Sequence, residues 1–276
     1  MSHFTVLVVT NPDQNPEDLL APFQEGGIDE LDRDLLNFDI EYEAYACVDE
    51  ARRIVDDTKS DDKDKARLIK MLANKEYKDI VKEWGGYSED EDGNLGYWSN
   101  DNAHWDWYVL GGRWAGMLKV FKGKKGQLGQ RGVFNEKEKI PKYHCDQAVF
   151  ADIDFDGMLK DKLNNCKKWY SKAIKILEKE ICKGQTKEKA QQEANWQTGI
   201  DLKEFDSQKK YLDKIEKEDF HTFAFINTDG EWIEEGDMGW FGVVSGRDIK
   251  TYQEAFNLMM KNIKPDQTLS VYDCHI

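Results

Sequence analysis

One stretch of the chain, residues 156–218, limits the fold more than any other because its composition differs from the rest. It is rich in Lys, Glu, Gln, Leu and Ile and contains no proline. Apolar side chains recur in it every three or four residues, as at Leu163, Cys166, Tyr170 and Ala173, which is typical of one buried helix face. A glycine-containing break at 184–186 separates two helical segments. We therefore expect a helical hairpin at 156–218, inserted into another domain.

The two ends of the chain carry the pattern of buried strands. Residues 3–9 are a β-branched and apolar run, and residues 269–276 are expected to form the last strand. Other segments with a strand pattern lie at residues 40–48, 116–122, 148–155, 221–226 and 231–233, and a helix is expected at 248–263. Residues 1–155 and 219–276 are therefore expected to form a single α+β domain. Its mixed or antiparallel sheet would contain both terminal strands.

Charge and composition exclude several classes of protein. The net charge of −15 would repel nucleic acid, so direct DNA binding is not expected. No apolar run reaches the roughly 20 residues that a membrane span requires, and no membrane partner is predicted. The five cysteines form no C-x-x-C pair, which is typical of reduced thiols in a cytoplasm.

Aromatic residues, an arginine and two glycines are concentrated at residues 105–114, with the sequence WDWYVLGGRW. Aromatic rings stack on flat groups, a guanidinium binds phosphate, and adjacent glycines allow close approach of the backbone to a ligand. The segment therefore predicts a site for a flat, anionic, nucleotide-like ligand, together with a glycine-punctuated loop at 236–242. The candidate ligand-binding residues are Trp105, Trp107, Tyr108, Arg113, Trp114 and Trp240. An aromatic core packed around a tight turn is the alternative.

Histidines at the two ends of the chain form a candidate catalytic group. On the last strand, Asp273 and His275 share one face, so Asp273 could orient His275. If the first and last strands are neighbours, His3 and His275 could act as general acid and base on a phosphodiester, using an adjacent ribose hydroxyl. The alternative is that both are ordinary histidines at strand ends.

Motifs for metals and cofactors are weak or missing. His144, Cys145 and Asp146 adjoin one another, but no second pair stands at zinc spacing. Residues 152–157 begin like a calcium loop, whose twelfth position is Leu163 rather than glutamate. The chain lacks the Walker A and dinucleotide-binding glycine patterns. We therefore predict neither a metal nor a cofactor.

Four segments together resemble a family of small proteins encoded by bacteriophages and prophages. They are MSHFTV at 1–6, WDWY with GGRW at 105–114, GWFG at 239–242 and DCHI at 273–276, whereas residues 156–218 lie outside the resemblance. The family brings no established activity with it. The resemblance implies a protein that works in the host cell cytoplasm, where accessory phage proteins often counter host defence.

These observations lead to three hypotheses. The first is an anti-defence protein that binds and sequesters a nucleotide-derived anion, such as a cyclic nucleotide immune signal. The second is a phosphodiesterase that cleaves this signal with the histidine pair. The third is an acidic, non-enzymatic inhibitor of a host defence protein complex. The expected partner is therefore a small nucleotide-like ligand or a host defence protein, and the helices at 156–218 could also form a homo-oligomer.

Overall fold

In a computed structural model of the chain, the structure describes residues 2–26, 33–57, 64–132, 139–217, 220–238 and 243–276. The helices of these residues are α1 Pro16–Leu20, α2 Ala46–Asp56, α3 Lys65–Asn74, α4 Tyr77–Gly85, α5 Phe155–Cys182, α6 Lys187–Thr198, α7 Gln208–Glu216 and α8 Ile249–Asn262. The strands are β1 His3–Thr10, β2 Asn37–Ile40, β3 Ser88–Glu89, β4 Leu95–Ser99, β5 Trp107–Gly112, β6 Leu118–Lys119, β7 Gln130–Arg131, β8 His144–Cys145, β9 Gln147–Val149, β10 Ala224–Ile226, β11 Trp232–Glu234, β12 Asp237–Met238, β13 Val244–Ser245 and β14 Thr268–His275.

The largest sheet formed by the described residues has seven strands in the order β11-β10-β1-β14-β5-β7, and β9 also pairs with β14. β1 is antiparallel to β14 and parallel to β10, so the sheet is mixed. The predicted α+β class is confirmed, as is a sheet that contains both terminal strands. From Phe4 to Thr10 every residue of β1 is buried, and such continuous burial is typical of a central strand covered on both faces.

A hydrophobic core lies on the face of this sheet that α8 covers. Leu7 of β1 and Val271 of β14 stand opposite each other in the register and belong to this core. Tyr252 and Phe256 of α8 lie four residues apart, on one side of the helix, and pack into the same core together with Phe225 of β10. The predicted helix at 248–263 is therefore present as α8.

Contacts divide the chain into two compact units. One comprises Met1–Pro16 and Tyr108–His275, and the other comprises Glu17–Trp107 with the last residue, Ile276. No change of composition in the sequence indicated this division. The predicted insertion boundaries at 155 and 219 remain a prediction.

The region predicted as a helical hairpin contains three helices, α5, α6 and α7. Ala173 of α5 and Ala194 of α6 are fully buried, and such small side chains allow two helices to pack closely. The tight turn between these helices contains Gly184, whose φ is +87°. Leu202 and Phe205, which precede α7, complete a separate core with Tyr170.

The Glu17–Trp107 unit contains most of α1, α2 to α4 and a three-stranded sheet in the order β2-β4-β3. The expected strand at 40–48 is wrong, because β2 ends at Ile40 and α2 begins at Ala46. Apolar spacing explains the difference: Ala44 and Val48 are four residues apart and both enter the core of this unit, which is a helical period. Among the described helices, none is long and apolar enough to cross a membrane.

Candidate functional site

Two histidines and an aspartate meet at one end of the β1–β14 pair. His3 lies directly opposite His275 in the antiparallel register, and Thr5 lies opposite Asp273. Residues opposite one another in an antiparallel pair point to the same face of the sheet. The ring centroids of His3 and His275 are 4.9 Å apart, and the two planes meet at 71°. The structure thus brings the predicted catalytic residues together.

Asp273 holds two groups from distant parts of the chain. Its side chain is fully buried, and Oδ1 lies 2.7 Å from Nδ1 of His3. Oδ2 accepts the backbone N–H of Arg113 at 2.8 Å. A carboxylate that is ionised only accepts hydrogen bonds, and with such a partner Nδ1 of His3 is the donor.

The carboxylate of Asp273 contacts His3, and its predicted role in orienting His275 stays a prediction. Asp273 reaches the partner strand diagonally, from the position two residues before His275. Diagonal neighbours on paired strands are within reach of long or aromatic side chains. The hydroxyl of Thr5, on the same face, accepts the N–H of Phe223 at 3.1 Å and so connects β1 to the segment before β10.

Each of the two glycines of the GGRW segment lies against a buried carboxylate. Gly111 and Gly112 have φ values of +84° and +53°, in the left-handed region that favours glycine. A Cβ atom at Gly111 would lie closer than 3.0 Å to the carboxylate of Asp146, and one at Gly112 would lie as close to that of Asp273. The close approach predicted for a ligand is therefore made by these two acids of the chain itself.

Asp146 was missed as a functional residue by the sequence prediction. It is fully buried, and its carboxylate accepts the backbone N–H groups of Gly116 and Gly129, the latter at 2.8 Å. Its carbonyl oxygen accepts the N–H of Val271 at 2.8 Å, two residues before Asp273. Asp146 therefore links the GGRW turn and the glycine-rich segment after it to β14. The only local signal for it was the His144-Cys145-Asp146 cluster, whose chemistry pointed to a metal.

Burial raises the pKa of Asp146, although the hydrogen bonds from Gly129 and Gly116 oppose this effect. An acid whose pKa is raised in the folded state binds its proton more tightly there than in the unfolded chain, where the pKa is about 3.9. The contribution of Asp146 to the free energy of unfolding should therefore fall as the pH rises from that value through the raised one. In urea unfolding at a series of pH values, the free energy of unfolding should change more negatively with pH in the parent than in Asp146→Asn. The exposed Asp229→Asn variant is the control, and an unchanged slope in Asp146→Asn would contradict the assignment.

The predicted aromatic site is divided between the two units. Trp105 and Trp107 belong to the Glu17–Trp107 unit, whereas Tyr108, Arg113 and Trp114 belong to the other. Trp105 is 2% exposed, so its ring packs inside the protein and is not accessible to a ligand. Trp107 is 49% exposed.

On the GGRW turn itself, Arg113 is exposed and Trp114 is half-buried. Tyr108 packs edge-on against the buried Tyr272, with ring centroids 5.5 Å apart, which is the arrangement expected of a packed aromatic pair. Trp240 and the rest of the GWFG segment lie outside the described residues.

The candidate metal residues have other partners. His144 has Nδ1 2.6 Å from the carbonyl oxygen of Gly116 and Nε2 3.3 Å from Asp161. The neighbouring Asp146 binds backbone N–H groups, as described above. Within the described ranges, no group of three or more histidine, cysteine, aspartate or glutamate side chains could hold a metal ion.

Two of the cysteines are buried close to the two buried acids. Burial raises the pKa of the Cys145 thiol to about 11, and the charge of Asp146 adds to the effect. Burial, with the charge of Asp273, likewise raises the pKa of Cys274 well above its ordinary value. A thiol acts as a nucleophile only as the thiolate, so neither residue is suited to nucleophilic catalysis at neutral pH.

Thiol labelling of the folded protein should follow this difference in burial. We expect iodoacetamide to modify the exposed Cys182 while Cys145 and Cys274 stay unmodified, because they are both buried and protonated. Mass spectrometry of tryptic peptides measures the modified fraction of each thiol. Labelling in urea is the control, in which all three should react. Fast modification of Cys274 in the folded state would contradict the described end of β14.

The imidazoles of His3 and His275 are in contact on one face of the sheet, and the buried carboxylate of Asp273 fixes His3. The same carboxylate binds the backbone of the turn that bears the exposed side chain of Arg113. Imidazoles exchange protons near neutral pH, and guanidinium groups bind phosphate oxygens. These groups can therefore bind an anionic ester and move protons to and from it. Comparisons with protein-family models, with curated proteins and with solved structures find no match to this chain.

Proposed function

We propose that this protein cleaves a phosphodiester bond in a nucleotide-derived anion, such as a cyclic nucleotide signal, by general acid–base catalysis. The observation that carries the proposal is the His3–His275 pair, 4.9 Å apart on one face, with the buried Asp273 fixing His3. Two proton-transferring groups this close can both act on one phosphate group, which is the requirement for cleavage by a neighbouring hydroxyl. The site favours the catalytic hypothesis over simple sequestration.

His3 is assigned as the general base. Its Nδ1–H donates to Asp273, so in the neutral ring Nε2 is the basic nitrogen. Nε2 takes the proton from a ribose 2′-hydroxyl, and the 2′-oxygen then forms a bond to phosphorus. The bond between phosphorus and the 5′-oxygen breaks, and protonated His275 gives its proton to this leaving oxygen. The products are a 2′,3′-cyclic phosphate and a free 5′-hydroxyl.

Arg113 is assigned to phosphate binding. Its backbone N–H binds the carboxylate that also holds His3, so the turn that bears Arg113 is fixed beside the histidine pair. A guanidinium forms paired, charge-assisted hydrogen bonds to phosphate oxygens. In a chain of net charge −15, a local cation of this kind is needed to attract an anion.

Sequestration without cleavage is the second candidate. It is favoured by the GGRW turn, where an exposed guanidinium stands next to a half-buried indole at Arg113 and Trp114. Stacking of a base on such a ring contributes about 1–3 kcal/mol in single-strand binding. The resemblance to phage proteins supplies the setting for either candidate, which is interference with a nucleotide signal of host defence in the host cytoplasm.

The two candidates are separated by incubating the protein with a cyclic diribonucleotide and with its 2′-deoxy analogue. Chromatography and mass spectrometry of the products should show a 2′,3′-cyclic phosphate from the ribonucleotide and no product from the deoxy compound, which lacks the attacking hydroxyl. Intact ribonucleotide retained by the protein in equilibrium dialysis would overturn cleavage and support sequestration. If neither ligand is retained or cleaved, both candidates fail.

A further inference from the structure

A cavity of about 720 Å³ lies beside α7 and α8, and its described lining is basic. Among its described lining residues are one acid, Asp213, and four lysines, Lys209, Lys210, Lys214 and Lys217. Lys214 also pairs with Glu204 at 3.5 Å. This surface opposes the net charge of −15 that the whole chain carries. Its aromatic lining comes from Phe205, Phe220 and Phe256. A basic cavity in an acidic protein favours a ligand with an anionic group.

A second cavity of about 720 Å³ lies between the start of α5 and the end of α8. Its apolar lining consists mainly of methionine and phenylalanine, at Met117, Phe155, Met158, Phe220 and Met260. Methionine is flexible and polarisable, so a wall of this kind adapts to apolar ligands of different shape. Cavities of about 300–1,000 Å³ are the usual size of small-molecule sites.

The two cavities adjoin, because Phe220, His221 and Asn257 line both of them. Together they offer a region lined by four lysines and a region whose lining combines methionine and phenylalanine with charged side chains. Three acids line the second cavity, Asp156, Asp161 and Glu216. Asp161 is paired with Lys119 at 2.7 Å, which reduces its repulsion of an anion. The combined site is built from one compact unit of the chain.

From this arrangement we infer that the protein binds a single-chain anionic amphiphile from solution, with its phosphate or carboxylate head at the α7 lysines and its chain among the methionines. The inference does not depend on the proposed catalysis, since none of the assigned catalytic residues lines either cavity. Charge complementarity selects the head group, and burial of methylene groups against Met158 and Met260 adds affinity with chain length.

Isothermal titration with dodecyl phosphate, below the concentration at which it forms micelles, tests the inference. We expect saturable binding of one molecule, and affinity at least about tenfold lower for butyl phosphate, because a four-carbon chain buries far fewer methylene groups. The double variant Lys210→Glu/Lys217→Glu should weaken binding of dodecyl phosphate at least about tenfold, because it reverses two charges of the basic region. Met158→Asp should also weaken binding of dodecyl phosphate at least about tenfold, because it places a charge where the alkyl chain lies.

The matched control is Lys168→Glu/Lys175→Glu, which makes the same charge change at exposed lysines of α5 that lie in a different cluster. Its affinity should equal that of the parent. Equal weakening in both double variants, or no binding by the parent, would overturn the inference. The inference would also be overturned if the protein sediments with phosphatidylglycerol vesicles but does not bind monomeric dodecyl phosphate. The basic region would then be a membrane contact. Cleavage of the cyclic diribonucleotide should be unchanged in all variants, so the two proposals can fail separately.

Discussion

His275→Gln is expected to lower kcat for cleavage of the cyclic diribonucleotide about 10²–10⁴-fold, the usual contribution of a general acid or base. Glutamine keeps a polar side chain of similar length but does not donate a proton to the leaving oxygen near neutral pH. His275 is half-buried at the end of β14, so the core between the sheet and α8 should be undisturbed. Product formation under saturating substrate measures the effect, and circular dichroism checks the fold.

His104→Gln is the matched control, because it makes the same replacement at a half-buried histidine of the Glu17–Trp107 unit. Its kcat should equal that of the parent. The parent should also show a bell-shaped dependence of kcat/KM on pH, from one acid and one base, and His275→Gln should lose one limb. Retention of full activity by His275→Gln would remove this residue from the mechanism.

Gly112→Ala should cause the largest loss of stability among the substitutions considered. A left-handed φ costs a residue with a Cβ about 1–2 kcal/mol. The new Cβ would also meet the buried Asp273, and overpacking of this kind costs about 1–3 kcal/mol more. The free energy of unfolding should therefore fall by about 2–5 kcal/mol, as measured by urea unfolding. Displacement of Asp273 should also misalign His3, so cleavage should be lost together with stability.

Gly199→Ala separates the two costs. Its φ of +70° is also left-handed, but a Cβ there would have no neighbouring atom within 4 Å. This variant should lose only the cost of the backbone, about 1–2 kcal/mol, and keep full activity. Equal losses in the two variants would show that Asp273 moves away from residue 112 without cost, and the close packing of the turn would then be unimportant.

Much of the fold could be predicted because the spacing of apolar residues along a segment indicates its secondary structure. The β-branched and apolar run of β1, the three- and four-residue spacing in α5 and the apolar face of α8 each indicated the observed element. A short segment of alternating apolar residues is a weaker guide, because the same residues can fit a strand or a helix. Residues 40–48 were expected to form a strand, but Ala44 and Val48 pack on a helical spacing.

The sequence by itself determined the α+β class, the strands at both ends, and a pair of histidines that would meet if those strands paired. Only the tertiary structure decided which groups the buried acids hold. Asp273 binds His3 and Arg113, 270 and 160 residues away in the chain, and Asp146 holds the other side of the GGRW turn. Such contacts depend on strand register and on the order of strands in the sheet, which side-chain periodicity along one segment does not specify.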